Sequence, residues 1–348
     1  MDIKSMYIPE IGDWMKEKGQ PSFRAKQLFA WMHQKYVEKT EEMTNLPKSL
    51  RETMDAEGFM HIEEETRLQS KKDGTIKFLF RLHDGQMIET VFMQHNYGNS
   101  VCISSQAGCR MGCRFCASTI GGLVRNLEPS EMLEQVYAVS RLVGERISHV
   151  VVMGTGEPLD NYDNLIRFLR LLTDENGYNL SARNITVSSC GIVPRIYDLA
   201  EEKLPITFAL SLHAPTDEER RELMPIAHQY TLAETLAACQ TYFKKTGRRV
   251  TFEYSLVKGK NDSVAQAEKL AKLLAGMNCH VNLIPVNPVE ERDFEQSEQD
   301  SITNFKLTLE KNHINGTLRK SMGSDIDAAC GQLRRKYAFH NQEDSHAF

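Results

Sequence analysis

From Val101 onward, short apolar runs that read as strands alternate with stretches of helical periodicity, and no other feature restricts the fold as much. Candidate strands occupy 101–104, 148–153, 184–189, 205–212, 250–257 and 280–286. Candidate helices occupy 131–143, 164–172, 232–245, 263–274 and 297–311. Units of this kind build parallel sheets with helices packed against them. Six of them predict an α/β fold, a (β/α)6 partial barrel. A short strand at 316–320 and a final helix from about Ile326 close the pattern. Residues 341–348 read as a disordered tail.

The first 72 residues read as a helical accessory domain. Pro21-Ser22 precedes Phe23-Arg24-Ala25-Lys26-Gln27-Leu28-Phe29-Ala30-Trp31-Met32, whose apolar residues fall near helical spacing. Asn45-Leu46-Pro47 breaks that region before another short helix at 48–54. Residues 73–97 read as a β-hairpin linker, because His83-Asp84-Gly85 separates apolar runs at 75–82 and 86–94. Residues 98–340 then form the barrel together with a C-terminal segment. The 348 residues suffice for one such barrel and a small appended domain.

Composition narrows the class further. A charged content of 26% and a hydrophobic content of 41% are those of an ordinary globular protein. No apolar run reaches membrane-spanning length and no signal peptide opens the chain, so the expected location is cytoplasmic. Thiols stay reduced there, and eight Cys therefore favour metal binding or catalysis over disulfides. The net charge of −5 gives no support for nonspecific nucleic-acid binding. Basic pairs such as Lys71-Lys72 and Arg334-Arg335 are candidate phosphate contacts, although such pairs are more often solvated surface.

Immediately after the first barrel strand comes Gly108-Cys109-Arg110-Met111-Gly112-Cys113-Arg114-Phe115-Cys116. Its spacing is C-x3-C-x2-C. A four-iron cluster ordinarily takes four thiolates, so three on one loop leave an iron open to an outside ligand. Structural zinc is the physical rival, but it wants four ligands, usually as paired cysteines, and no second pair follows at such spacing. Polar residues end the other strands. Gly154-Thr155-Gly156-Glu157-Pro158, Ser188-Ser189-Cys190-Gly191, Ser211-Leu212-His213 and Asn287 all fall at the carboxyl side of the sheet, where sites of parallel α/β folds gather.

Three further residues stand out. Glu89 alternates with Met87, Val91 and Met93, so it lies on a largely apolar face that disfavours a charged carboxylate. It is either a catalytic base or an outward-pointing strand residue. Read alone, Cys102 is a small buried residue in a strand, and Cys330 packs beside Ala328 and Ala329 in a helix. Cys239 and Cys279 read as core.

These motifs resemble the radical S-adenosylmethionine superfamily and, within it, the RlmN/Cfr family of RNA adenine methyltransferases. The likeness rests on Cys102-Ile103-Ser104-Ser105-Gln106, the three-cysteine loop, Met153-Gly154-Thr155-Gly156-Glu157-Pro158, Ser211-Leu212-His213-Ala214-Pro215, Asn282-Leu283-Ile284-Pro285 and the run from Asp325 to Leu333 around Cys330. Met43-Thr44-Asn45-Leu46-Pro47 extends it into the helical region.

The resemblance implies one 4Fe-4S cluster on Cys109, Cys113 and Cys116, and two molecules of S-adenosylmethionine per turnover. It implies a cofactor site made by Gly156, Glu157, Ser188, Ser211, Leu212, His213 and Asn287. It also implies that Cys330 carries a methyl group to the base, that Cys102 resolves the resulting crosslink through a transient disulfide with Cys330, and that Glu89 accepts the ring proton. The implied substrates are 23S rRNA and tRNA, and the implied electron donor is a flavodoxin-type reductant.

Pro158 after Glu157 favours the carbon-2 branch over the Cfr-type carbon-8 branch associated with antibiotic resistance. Cys190, Ala227 and the run Ser321-Met322-Gly323-Ser324 depart from the family pattern, which touches substrate contacts more than chemistry. A noncatalytic cluster-bearing RNA-binding or sensor protein is the rival of another class, distinguished by an absence of 5′-deoxyadenosine release.

Overall fold

The computed structural model describes residues 2–286, 293–319 and 322–326. Asn287, Cys330, the expected final helix after Ile326 and the expected tail lie outside the described residues.

Three helices, α1 (Ile8–Glu17), α2 (Arg24–His33) and α3 (Lys48–Ala56), open the chain. Strands β1 (Glu63–Gln69), β2 (Ile76–Arg81) and β3 (Met87–His95) then run antiparallel to one another. β3 pairs antiparallel with β4 (Gly98–Ile103), the first strand of the parallel series. The expected hairpin is therefore two strands of a three-stranded extension that joins the main sheet directly. β1 falls within the stretch read as helical. Its sequence, Glu-Glu-Glu-Thr-Arg-Leu-Gln, carries no apolar alternation, because it is an edge strand whose charged surface discourages pairing with other chains.

After β4 the chain makes a small two-stranded sheet, β5 (Gln106–Gly108) with β6 (Leu123–Asn126). The alternation follows: α4 (Pro129–Val143), β7 (His149–Val152), α5 (Tyr162–Thr173), β8 (Ile185–Ser189), α6 (Val193–Glu201) and β9 (Thr207–Ser211). It continues with α7 (Asp217–Leu223), α8 (Leu232–Thr246), β10 (Val250–Leu256), α9 (Val264–Leu273), β11 (Cys279–Pro285), α10 (Gln299–Lys311) and β12 (Gly316–Leu318). The ten-stranded sheet has the order β1-β2-β3-β4-β7-β8-β9-β10-β11-β12. All six expected barrel strands are present, and β11 also pairs in parallel with β12. The sequence reading placed no helix at α6 or α7.

The period of two along each strand explains where the site lies. Val101 and Ile103, Val150 and Val152, Phe208 and Leu210, Phe252 and Tyr254, and Val281 and Leu283 belong to the main core. The residues that alternate with such core positions face the other side and include Cys102, Thr186, Ser188, Ser211, Glu253, Ser255 and Asn282 beside the apolar Val151 and Ala209. One face of the sheet thus builds the core, while the other lines a polar interior.

The N-terminal helices are docked firmly on α4 and α5. Lys4 and Glu134 form an ion pair at 2.6 Å with both side chains fully buried. His33 Nδ1 meets the Tyr137 hydroxyl at 2.9 Å, and Arg167 grips both carboxylate oxygens of Glu10. Residues of α1 to α3 and of the barrel helices share one continuous apolar core.

Candidate active site

The three cysteines sit on the loop that joins β5 to β6. Gly108 has a φ of 83°, and a Cβ there would lie 2.1 Å from the Gly122 carbonyl oxygen, so the loop closes tightly only with glycine. Cys109 N–H donates to that same carbonyl at 3.0 Å. The Thr119 hydroxyl lies against the carbonyls of Cys113 and Cys116, and Arg114 N–H donates to Leu223 O at 2.9 Å. Arg110 pairs with Asp160 at 2.5 Å.

Cys109 and Cys113 are buried and Cys116 is half-buried. Burial pushes the Cys109 thiol up to about 12, partly offset by the Met111 N–H, and holds Cys113 well above the usual thiol range. Thiols held this way ionise when iron replaces the proton.

Among the described residues, no three His, Cys, Asp or Glu side chains converge on a single-ion site. A cubane differs in that each thiolate takes its own iron. Three cysteines on one short loop are a donor set that suits such a cluster.

A cavity of about 230 Å³ opens beside these cysteines. Its lining brings together Cys109, Cys113, Cys116, Gly156, Glu157, Ser188, Ser211 and His213, all expected at the site from sequence. Gly156 adopts a φ of 113°, and a Cβ there would be 2.7 Å from Gln106 and Ser105. At Gly154 a Cβ would lie 2.6 Å from the Ile103 carbonyl oxygen. The two glycines let the end of β7 lie directly on the end of β4.

The buried Glu157 carboxylate accepts from Leu159 N–H at 3.0 Å and Cys190 N–H at 2.8 Å. Burial raises its pKa against these bonds. It joins the loops after β7 and β8. Leu212 is placed differently from the other expected residues: its side chain is in the core, while its N–H and carbonyl bond Glu253 O and Arg220 Nε.

His213 has a φ of 58°, and its carbonyl accepts from Asn261 Nδ2 at 2.7 Å. Its Nδ1 accepts from Ser255 N–H at 2.9 Å, which leaves the proton on Nε2. Burial, helped by the charge of Arg220, lowers its pKa to about 3, so the ring is neutral near pH 7.

Glu89 and Cys102 share the inner face of the sheet. Cys102 lies opposite Val91, which places Glu89 diagonally across the strand pair. Met322 packs against the cluster of Val91, Met93 and Cys102. Lys77, fully buried on β2, meets Glu89 Oε2 at 3.1 Å. The face of Glu89 thus carries a cation that the alternation of Met87, Val91 and Met93 did not disclose.

Glu253 also escaped the sequence reading. One of its oxygens accepts from Asn282 Nδ2 at 2.9 Å, while the other is buried without a partner among the described residues. The signal existed, since Thr251, Glu253 and Ser255 form the polar register of an otherwise apolar strand.

Comparison with known proteins agrees with this geometry. The Radical SAM superfamily matches residues 103–274, and the Ribosomal RNA large subunit methyltransferase N-terminal domain matches residues 1–58. A protein of Lachnoclostridium phytofermentans named "Probable dual-specificity RNA methyltransferase RlmN" is 57% identical over 97% of this chain and 95% of its own. One of the same name from Clostridioides difficile is 52% identical over 96% of this chain and 98% of its own. The chain belongs to the RlmN family of radical S-adenosylmethionine methyltransferases.

A crystal structure of a radical SAM methyltransferase from Sphaerobacter thermophilus superposes with a TM-score of 0.92 at 43% identity, covering 95% of this chain and 98% of that one. Membership in the RlmN family carries a 4Fe-4S cluster and S-adenosylmethionine as cofactors. Among the described residues, no helix is long and apolar enough to cross a membrane.

Proposed function

We propose that this chain is a dual-specificity RNA methyltransferase. Its target is carbon 2 of an adenine in the peptidyl-transferase centre of 23S rRNA and of the adenine 3′ of the anticodon in tRNAs. The relatives named above carry this reading at family level. The observation that supports the mechanism is that Cys102 and Glu89 share the inner face of the sheet, and that Met153, packed beside Cys102, also lines the cysteine cavity.

In this reading Cys109, Cys113 and Cys116 hold the cluster. Gly156, Glu157, Ser188, Ser211, His213 and the backbone of Leu212 shape the S-adenosylmethionine site, with Asn287 completing it. When bound, these cofactors supply a methyl group and a 5′-deoxyadenosyl radical, which the carbon of an unactivated ring requires.

The chain's own residues do the rest. The largely apolar lining limits water around a reactive species. Cys330 carries the methyl carbon to the base, using a second S-adenosylmethionine in each turnover. Glu89 accepts the ring proton, with the Lys77 ammonium holding its carboxylate in place. The Cys102 thiolate then attacks the Cys330 sulfur, forming a disulfide as the bond from that sulfur to the bridging carbon breaks; the electron pair stays on the carbon, which takes a proton and becomes the methyl group of the released base. Support comes from Met322, which precedes Cys330 by eight residues and already packs on Cys102. An exogenous flavodoxin-type reductant would deliver the electrons, and the compartment would be the cytoplasm.

The test is anaerobic incubation of reconstituted protein with 23S rRNA or tRNA, S-adenosylmethionine and reductant, followed by nucleoside mass spectrometry. 2-Methyladenosine from both RNAs is expected. 8-Methyladenosine alone would move the chain to the other branch. Release of 5′-deoxyadenosine with neither product would overturn the substrate assignment.

A further inference from the structure

Arg220 is buried completely on α7, behind the cysteine loop. Its Nη2 donates to Cys190 O at 2.7 Å and Ser211 O at 3.2 Å, and its Nε donates to Leu212 O at 3.2 Å. It therefore ties the ends of β8 and β9 together. Its Nη1 is buried with no hydrogen-bond partner among the described residues. Nor does any carboxylate among them form an ion pair with it.

A buried guanidinium with neutral acceptors and a free N–H is costly unless a negative charge answers it. The ionisable groups nearest it in charge effect include Cys113, Cys190, Cys239, Asp217 and His213. His213 is neutral, and the Asp217 carboxylate, bonded by Leu232 N–H at 2.7 Å, is too far to form an ion pair with Arg220. Cys113, on the cluster loop, and Cys190 share one small packed cluster with Leu223 and Met224, the residues that end α7. The negative charge that fits this position is that of a thiolate-ligated iron–sulfur cluster.

We propose that Arg220 is a positioning residue for the cluster, the buried counter-charge behind Cys113 that raises the cluster's reduction potential. Each electron added to a thiolate-ligated cubane increases its negative charge, and net charge and hydrogen bonding are among the determinants of potential. A fixed cation at this site stabilises the reduced state over the oxidised one. This inference rests on the cluster being held by Cys109, Cys113 and Cys116.

The experiment is an EPR-monitored redox titration of anaerobically reconstituted full-length protein, with iron and sulfide content measured alongside. Arg220→Gln should shift the midpoint to more negative potential at unchanged cluster content. An unmoved midpoint in Arg220→Gln would overturn the proposal. Arg220→Lys provides a second readout that survives a misfolded Gln variant.

Lysine carries the same charge as arginine without its planar fork of donors. The midpoint of Arg220→Lys, which keeps the positive charge, should stay near the parent value at neutral pH. An Arg220→Lys midpoint well below that of the parent would also overturn the proposal. Parent protein that binds no cluster would instead sink the cluster assignment, so the two failures are distinguishable.

Discussion

At the scale of single residues, the site is held by charges whose partners lie far apart in sequence. Lys77 and Glu89 meet at 3.1 Å with almost no exposure on either side chain. Removing one member of a buried pair strands the other, which costs roughly 3–5 kcal/mol. Lys77→Met should therefore lower stability by that order in urea denaturation, and Lys77→Met/Glu89→Leu should recover a large part of it. A single-mutant loss below about 1 kcal/mol would show that the pair behaves like a solvated surface bridge.

The cysteines separate by role in a second experiment. Cys102→Ala should retain 5′-deoxyadenosine release and lose methylated RNA, whereas Cys113→Ala should lose both. Retained RNA methylation in Cys102→Ala would remove it from the proposed chemistry. Strand alternation left Glu89 with two readings and gave Cys102 only a buried place in a strand; the roles expected of both came from the family resemblance. Lys77 was not legible, since the register that brings β2 to β3 is a tertiary fact. Arg220 was less visible still: Asp-Glu-Glu-Arg-Arg-Glu-Leu reads as a solvated helix, and nothing in it tells the buried arginine from its neighbour.

At the scale of elements, glycines fix the approach of loops to the site, and their spacing distinguishes two kinds of effect. Gly156 and Gly247 both have positive φ, but only Gly156 has backbone and side chains within the reach of a new Cβ. Gly247→Ala should cost about 1 kcal/mol from the left-handed backbone and leave cofactor binding unchanged. Gly156→Ala adds a steric clash at 2.7 Å to a comparable strain and should also abolish S-adenosylmethionine binding by calorimetry. Normal binding in Gly156→Ala would show that the loop can retreat from β4 without harming the site.

The six parallel strands were legible because their outer residues are apolar and their ends are marked by Gly, Ser and Cys. β1 was not, because a charged edge strand shows no such pattern. The C-terminal approach to Cys102 was equally hidden. It depends on Asp325 accepting from the Ser70 hydroxyl at 2.6 Å and Lys71 N–H at 3.0 Å, and on Asp73 accepting from Gly323 N–H at 2.9 Å.

At the scale of the whole molecule, the helical region and the barrel act as one folded body because polar groups are buried between them. His33 is fully buried at that junction, where Nδ1 meets Tyr137 and Nε2 has no partner among the described residues. Burial, followed by the nearby Lys4 charge, lowers its pKa to about 3 from an ordinary value of 6.5. The folded state therefore keeps the ring neutral while the unfolded chain takes up a proton as pH falls below 6.5. The neutral ring's contribution is complete above that value and is lost progressively as pH falls toward 3. Each such proton changes stability by about 1.4 kcal/mol per pH unit inside that window.

Buried Glu157 and Glu253 have raised pKa values, which work in the opposite direction, so the parent curve alone does not isolate His33. The difference between the parent and His33→Phe does. The variant loses the Tyr137 hydrogen bond at every pH, which adds a constant offset. Its stability relative to the parent should then improve by about 1.4 kcal/mol for each pH unit lowered between roughly 6 and 4, and stay level above 7. Urea denaturation at four or five pH values measures this directly. A pH-independent difference would mean that the junction opens or hydrates enough for His33 to titrate as it does in the unfolded chain. The helical region would then be loosely docked, and the buried Lys4–Glu134 pair could not hold it against the barrel as the structure shows.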